Sequence, residues 1–175
     1  MIIRPVKWIT LPGEDGTGLL QAWAGEGAAE FPLPIETRGV RPEDVKMGKE
    51  QDFDLLLMCA DELQVYEDEE DFRDAERSMA PESVIPAGLI PAPGEGKFVP
   101  SPRIILNGKV ERICPDAMQF GLDAGDVLFT VSCLGNGYDV LLPMEYTLDV
   151  DSVPVSEGSI VSGVFWVLGR IGEEE

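Results

Sequence analysis

Four apolar segments of strand length lie between Arg103 and Ile171, and the two longest are interrupted by glycine. Arg103–Ile113 carries Gly108 near its middle, and Ser159–Ile171 carries Gly163 and Gly169. Between them, Val127–Leu134 and Tyr138–Leu142 flank Gly135-Asn136-Gly137, a tripeptide suited to a hairpin turn. A glycine inside a strand is typical of a bend or a bulge. Four such segments fit a small closed or partly open barrel, and a five-stranded OB-like barrel is one such form. Residues 103–171 are therefore expected to form an antiparallel OB-like barrel. Ile105, Val110, Val131, Val140, Val161 and Phe165 are expected among its buried side chains.

The first half is also β-rich. Val6–Leu11 alternates as a strand does, Pro12–Gly18 supplies turn residues, and Leu19–Trp23 can return as the second arm of a hairpin. Pro32 and Pro34 forbid a helix in Phe31–Ile35 and suit only a sheet edge. Phe53–Cys59 has the length of a buried strand, and Leu63–Tyr66 continues in alternation. Glu67–Arg77 contains helix formers and ends basic, as the helix dipole prefers, so a short surface helix anchored by Phe72 is expected there. Ala80–Pro102 holds six prolines and three glycines, the composition of a connector. The fold class is thus mainly β, a β-rich α+β chain. Its expected organisation is an N-terminal β-hairpin region with one acidic helix (1–79), a Pro/Gly-rich connector (80–102) and the OB-like barrel (103–171).

The Ile85–Gly88 connector, Ile105–Val110, the ending Gly158–Ile171 and the upstream Val65–Phe72 together resemble an uncharacterised bacterial protein family with an OB-like β-barrel C-terminal region. The resemblance spans residues 45–171 and implies a fold and a bacterial origin. It carries no activity and no catalytic residue.

Charge narrows the partners. The chain has 33 acidic and 13 basic residues, a formal net charge of −20. The excess is spread over both sides of Pro100, with 21 acids and 9 bases before it and 12 and 4 after it. Phosphate backbones are bound through Lys and Arg that release counterions, so nucleic acid and anionic membrane surfaces are not expected as partners. A basic protein fits better. Met1–Pro12 lacks the apolar core of a secretory signal, and no apolar run is long enough for a membrane helix. Cys59, Cys114 and Cys133 are odd in number and lack paired spacing, which suits reduced thiols in a cytoplasm.

Several chemistries lack their residues. With no histidine, neither a Ser-His-Asp nor a Cys-His site can be assembled. Zinc sites that need histidine are likewise excluded, and three unpaired cysteines do not suit a thiolate site. Gly13–Gly18 lacks the Lys-Ser/Thr of a phosphate loop and places two acids where an anion would approach. Gly25-Glu26-Gly27 lacks the third glycine of a dinucleotide fingerprint. Nine carboxylates crowd residues 61–76, without the spacing of a calcium loop. Asp54 and Asp139 sit in apolar surroundings but read as outward residues of alternating strands. No cofactor, metal ligand or catalytic residue is assigned.

The remaining reading is a non-catalytic protein-binding or assembly module. Its candidate contact residues are Glu67, Asp68, Glu69, Glu70 and Asp71, with Trp23 and Trp166 as aromatic anchors, and a homo-oligomer is compatible with it. An acidic DNA mimic or toxin-neutralising protein is the first alternative. A carboxylate-based enzyme is the second. Trp8, Trp23 and Trp166 could serve as a stacking platform, although core packing or an oligomer contact is the simpler expectation. Phe165 and Trp166 are adjacent on a strand and should face opposite sides.

Overall fold

The computed structural model describes residues 1–11, 17–25, 30–61, 63–76, 78–91, 94, 96–114, 126–143 and 153–172. Among these the chain is mainly β, with ten strands and one α-helix. It divides into two compact units built from interleaved segments. Unit 1 comprises 1–55, 86–104 and 166–175, and unit 2 comprises 56–85 and 105–165. This partition is not the linear one expected from composition, because most of the Pro/Gly-rich connector belongs to the same unit as the N-terminal strands. A proline-rich stretch therefore need not separate domains: Ser101 N–H donates to Gly88 O at 2.9 Å, and Val167 N–H donates to Pro102 O at 2.9 Å.

Unit 1 starts with an antiparallel meander. Strands β1 (Ile2–Thr10), β2 (Thr17–Ala24) and β3 (Phe31–Arg38) pair in order. The expected hairpin is present, although its turn residues 12–16 lie outside those described. β1 carries a bulge between Pro5 and Lys7. The start of β4 (Gln51–Cys59) pairs with β1 at Ile2↔Asp52, and the end of β10 (Ile160–Ile171) runs parallel to β3 at Leu168↔Glu36. Alternate residues of a strand direct their N–H groups to the same edge, so Pro32 and Pro34 remove donors from one edge only. β3 accordingly pairs with β2 along its whole length and with β10 only beyond Pro34. Ile3, Leu20, Leu33, Ile35, Phe53 and Val167 are buried here. Gly169 faces the same interior, and a Cβ on it would lie 2.5 Å from Ile35 Cγ2. Close approach explains this glycine.

Unit 2 contains the meander β7 (Arg103–Cys114), β8 (Val127–Cys133) and β9 (Asn136–Leu142) from Ile105 onward. The second half of β4 runs parallel to β9 at Leu56↔Asp139. β5 (Gln64–Tyr66) pairs with the start of β10, and β6 (Ser83–Ile85) pairs with β7. Helix α1 (Glu69–Ala75) follows β5. Val110, Val131, Val140, Val161 and Phe165 are buried as expected. Ile105 is not: it is only half-buried, while Ile104 and Leu106 are fully enclosed. The inward phase of β7 falls on even numbers, a choice that an Ile-Ile pair leaves open. Gly108 is inward too, and a Cβ on it would lie 2.4 Å from Val131 Cγ1. The bulge in β7 lies later, between Val110 and Arg112.

The β8–β9 turn also differs from expectation. Cys133 pairs with Asn136, so the connecting residues are Leu134 and Gly135, while Asn136 and Gly137 belong to β9. Leu134 has φ 51° and Gly135 φ 77°. Both central residues are left-handed, as the right-handed twist of a two-residue hairpin requires. Leucine is poorly suited to that conformation, at a cost of roughly 1–2 kcal/mol. Glu82 Oε2 accepts from Leu134 N–H at 2.9 Å and helps to hold the turn. Leu134→Asn places a residue tolerant of this backbone before Gly135, and is expected to raise stability by about 1 kcal/mol. Chemical denaturation should show a higher midpoint with an unchanged slope; a lower midpoint would mean that the leucine side chain contributes more than its backbone costs.

Candidate functional site

The acidic run forms the short surface helix expected of it, with the carboxylates of Asp68, Glu69 and Asp71 in defined local roles. A seven-residue helix is too short to persist alone. Asp68 caps its N-terminus, with Oδ1 accepting from the N–H groups of Glu70 and Asp71 at 2.9 Å each. Asp71 Oδ2 accepts from Glu67 N–H at 3.1 Å, and Arg73 pairs with Glu69 one turn away. Glu69, Glu70 and Asp71 occupy the first turn, where the helix dipole favours negative charge. Phe72 is completely buried and meets the Tyr66 ring edge-on, with centroids 5.1 Å apart. Glu67, Glu70 and Asp74 are exposed, and their carboxylates have no bond among the described residues.

The three tryptophans occupy distinct sites in unit 1. Trp8 lies opposite Leu20 on the inner side of the β1–β2 hairpin, with its ring over Gly18. Trp23 is on the outer side, paired with Arg4 on β1 and Pro32 on β3, and is 39% exposed. Trp166 donates its indole N–H to Glu36 Oε2 at 2.7 Å. Among the described residues no ring contact joins any two of the three tryptophans. Phe165 is buried and Trp166 is half-buried, as their opposite orientations predict.

Glu36 is a charged side chain almost removed from solvent, at 6% exposure. Its second oxygen accepts from Arg38 Nε at 2.8 Å. The carboxylate thus ties β3 to the indole of β10 and is neutralised by an exposed guanidinium on its own strand. Sequence reading missed Glu36 because its partner Trp166 lies 130 residues away. It also missed the apolar neighbours of Trp23. Ile2 and Val6 are each 55% exposed, and Val6 is the extra residue of the β1 bulge. Gly48 N–H donates to Pro5 O at 2.7 Å, which brings Met47, also exposed, beside that bulge. A bulge shifts residues out of strict alternation, and no periodicity along β1 reveals it.

Other chemically capable groups are committed or enclosed. Asp54 pairs with Arg170 at 3.1 Å, and Asp139 accepts from Thr130 Oγ1 at 2.9 Å, both on exposed faces. Among the described residues no three acidic or thiol side chains converge as metal ligands do, and no helix is long and apolar enough to cross a membrane. Cys59 and Cys133 are fully buried, whereas Cys114 is half-buried. Burial pushes the Cys133 thiol up to about 12, with the Glu82 carboxylate adding to the rise. Burial likewise raises Cys59. Both are neutral and unreactive near neutral pH.

Two measurements follow from these environments. In the native protein Cys114 is expected to react with a thiol reagent, while Cys59 and Cys133 wait for unfolding. The two buried thiols bind their protons more tightly folded than unfolded. Their stabilisation is complete below the unfolded thiol value of about 8.5 and is lost as pH rises through the folded values, by up to about 1.4 kcal/mol per pH unit for each thiol. The melting temperature should therefore decline above about pH 9, less steeply in Cys133→Ala. Glu36 provides the other test. Glu36→Ala leaves the Trp166 indole without its acceptor and should cost about 1–3 kcal/mol, whereas Glu36→Gln retains an acceptor and should cost less. Equal losses would assign the effect to the charge alone. No protein-family model, curated protein or solved structure matches this chain.

Proposed function

We propose that this chain is a non-catalytic protein-binding and assembly module. The observation that carries the reading is the outer face of the β1–β2 hairpin, where Trp23, Ile2 and Val6 are exposed together. Tryptophan is the residue type most enriched among side chains that dominate binding energy, and a cluster of large apolar groups on a sheet face supplies the desolvated centre of an interface. The exposed carboxylates of α1 add steering toward a basic surface. Charges act over about 10 Å at 0.1 M salt, so they raise the association rate more than the affinity.

The proposal extends to the finer fold and setting. Unit 2 is read as a closed, OB-like barrel of β4, β9, β8, β7 and β10. Supporting this are the β4–β9, β9–β8 and β8–β7 ladders, together with the bonds Val110 N–H to Ser159 O at 2.8 Å and Ala60 N–H to Val164 O at 2.9 Å. A cytoplasmic setting is supported by three free cysteines. Neither nucleic acid nor a membrane is expected as a partner of so acidic a chain.

A photo-cross-linking amino acid in place of Trp23 tests the reading, with one in place of Glu157, an exposed turn residue, as control. Capture of a specific partner from position 23 alone is expected. Trp23→Ala should weaken that association by about 2 kcal/mol or more, with an association rate that falls as salt rises. The same captured proteins from both positions, or an affinity indifferent to Trp23, would remove this face as the docking surface.

A further inference from the structure

The chain contains two asparagines, Asn107 and Asn136, and each precedes a glycine. An Asn-Gly pair is open to attack of the glycine backbone nitrogen on the asparagine side-chain amide, because glycine has no Cβ to crowd that nitrogen. Both pairs carry the same chemistry. The fold gives them opposite surroundings.

Asn107 is fully buried on β7. Its Nδ2 donates to Ala80 O at 3.1 Å and to Ser83 Oγ at 3.0 Å, so the side-chain amide is fixed. Gly108 is enclosed as well: a Cβ on it would lie 2.4 Å from Val131 Cγ1 and 2.7 Å from Ser132 O. In so close-packed a setting neither the attacking nitrogen nor the amide carbon has room to move toward the other.

Asn136 and Gly137 begin β9, directly after the Leu134-Gly135 turn. Cys133 and Asn136 form the bonded pair that closes a two-residue hairpin, and bonded and non-bonded pairs alternate beyond it. Gly137, opposite Ser132, therefore turns its N–H away from β8. On that other edge β4 joins β9 only from Asp139 onward, at Leu56↔Asp139. The Gly137 nitrogen thus has no strand partner among the described residues. Gly137 is exposed, and among the described residues a Cβ on it would meet only Thr130 Cγ2, at 3.7 Å. The Asn136 side chain is held among these residues by one exposed bond, from Nδ2 to Leu134 O at 3.2 Å. Leu134, with φ 51°, strains the adjoining turn, which favours the local opening that brings nitrogen and amide together.

We propose that Asn136 is a site of spontaneous deamidation, a slow covalent switch in the β8–β9 hairpin. The Gly137 nitrogen gives up its proton to solvent and attacks Asn136 Cγ. The N–Cγ bond forms, the Cγ–Nδ2 bond breaks, and Nδ2 takes up a proton and leaves as ammonia. Water then opens the cyclic imide. Cleavage between Cγ and the Gly137 nitrogen gives aspartate. Cleavage between the backbone carbonyl carbon of residue 136 and that nitrogen gives isoaspartate, whose main chain runs through Cγ and is longer by a carbon. Water is consumed and ammonia released, with no oxidation or reduction. Either product replaces the donor to Leu134 O by a carboxylate, beside a turn whose Leu134 N–H is already held by the Glu82 carboxylate. Isoaspartate also disturbs the pairing with Cys133, since an extra backbone atom shifts the register beyond it. The site lies in unit 2 and is independent of the docking surface around Trp23.

The test is incubation of the full native chain at physiological pH and temperature, followed by peptide mapping with mass spectrometry. The same chain in denaturant is the reference, and there both asparagines should convert at comparable rates. In the native chain the peptide bearing Asn136 should gain the mass of an amide exchanged for an acid and separate into aspartate and isoaspartate forms. Asn107 should convert at least about tenfold more slowly. The deamidated chain, isolated by its added negative charge, should show faster hydrogen exchange at the Cys133 amide than fresh protein. Asn136→Gln, whose longer side chain closes a less favoured ring, should neither convert at position 136 nor change its exchange over the same time. Native Asn136 that stays intact while the denatured chain converts overturns the inference. So does native Asn107 converting as fast as Asn136. An isolated product whose exchange at Cys133 matches fresh protein overturns the switch.

Discussion

Backbone hydrogen bonding along β10 is the constraint on which the rest depends. Its residues Ile160–Ser162 pair with β5, and Leu168 and Gly169 pair with β3. Further pairings join it to β4 and β7. Four strands thus take donors or acceptors from a segment of twelve residues. A buried peptide group without a partner costs about 1–3 kcal/mol, so loss of β10 would leave polar backbone exposed or unsatisfied in both units. Its composition suits that demand. Phe165 and Val167 are wholly buried, while Gly169 leaves room for Ile35 where the backbones converge.

The same strand shows how a charge can be admitted near a core. Trp166 places an indole N–H against Glu36, and Arg38 balances the carboxylate from its solvent side. Neither bond alone would justify an almost buried carboxylate. Together they satisfy both oxygens with directional donors, which is the condition under which a buried charge is tolerated. The acids of α1 follow different physics. They remain in water, and several are consumed by the backbone donors at the helix start. The surplus at α1 is partly structural, since Asp68, Asp71 and Glu69 are held in local bonds.

Much was legible in the sequence because it depends on local physics. Alternation and turn residues located the β1–β2 hairpin, the apolar run located β4, and the acidic start with Phe72 located α1 and its buried anchor. Glycines at 108 and 169 read as kinks, and only the structure shows that side chains of neighbouring strands approach them closely. Other features required tertiary structure, because they depend on partners distant in sequence. The inward choice between Ile104 and Ile105 follows the register of β7. Similarly, the placement of the β8–β9 turn on Leu134-Gly135 follows the pairing of Cys133 with Asn136. Glu36 becomes a defined site only when Trp166 arrives from the far end of the chain. Val6 becomes exposed only because β1 bulges against β2, and the interleaved composition of the two units arises because long strands find partners far apart in sequence. Local preference chooses an element and its approximate limits; which face is inward, and which charges meet, is decided by the strands that pair with it.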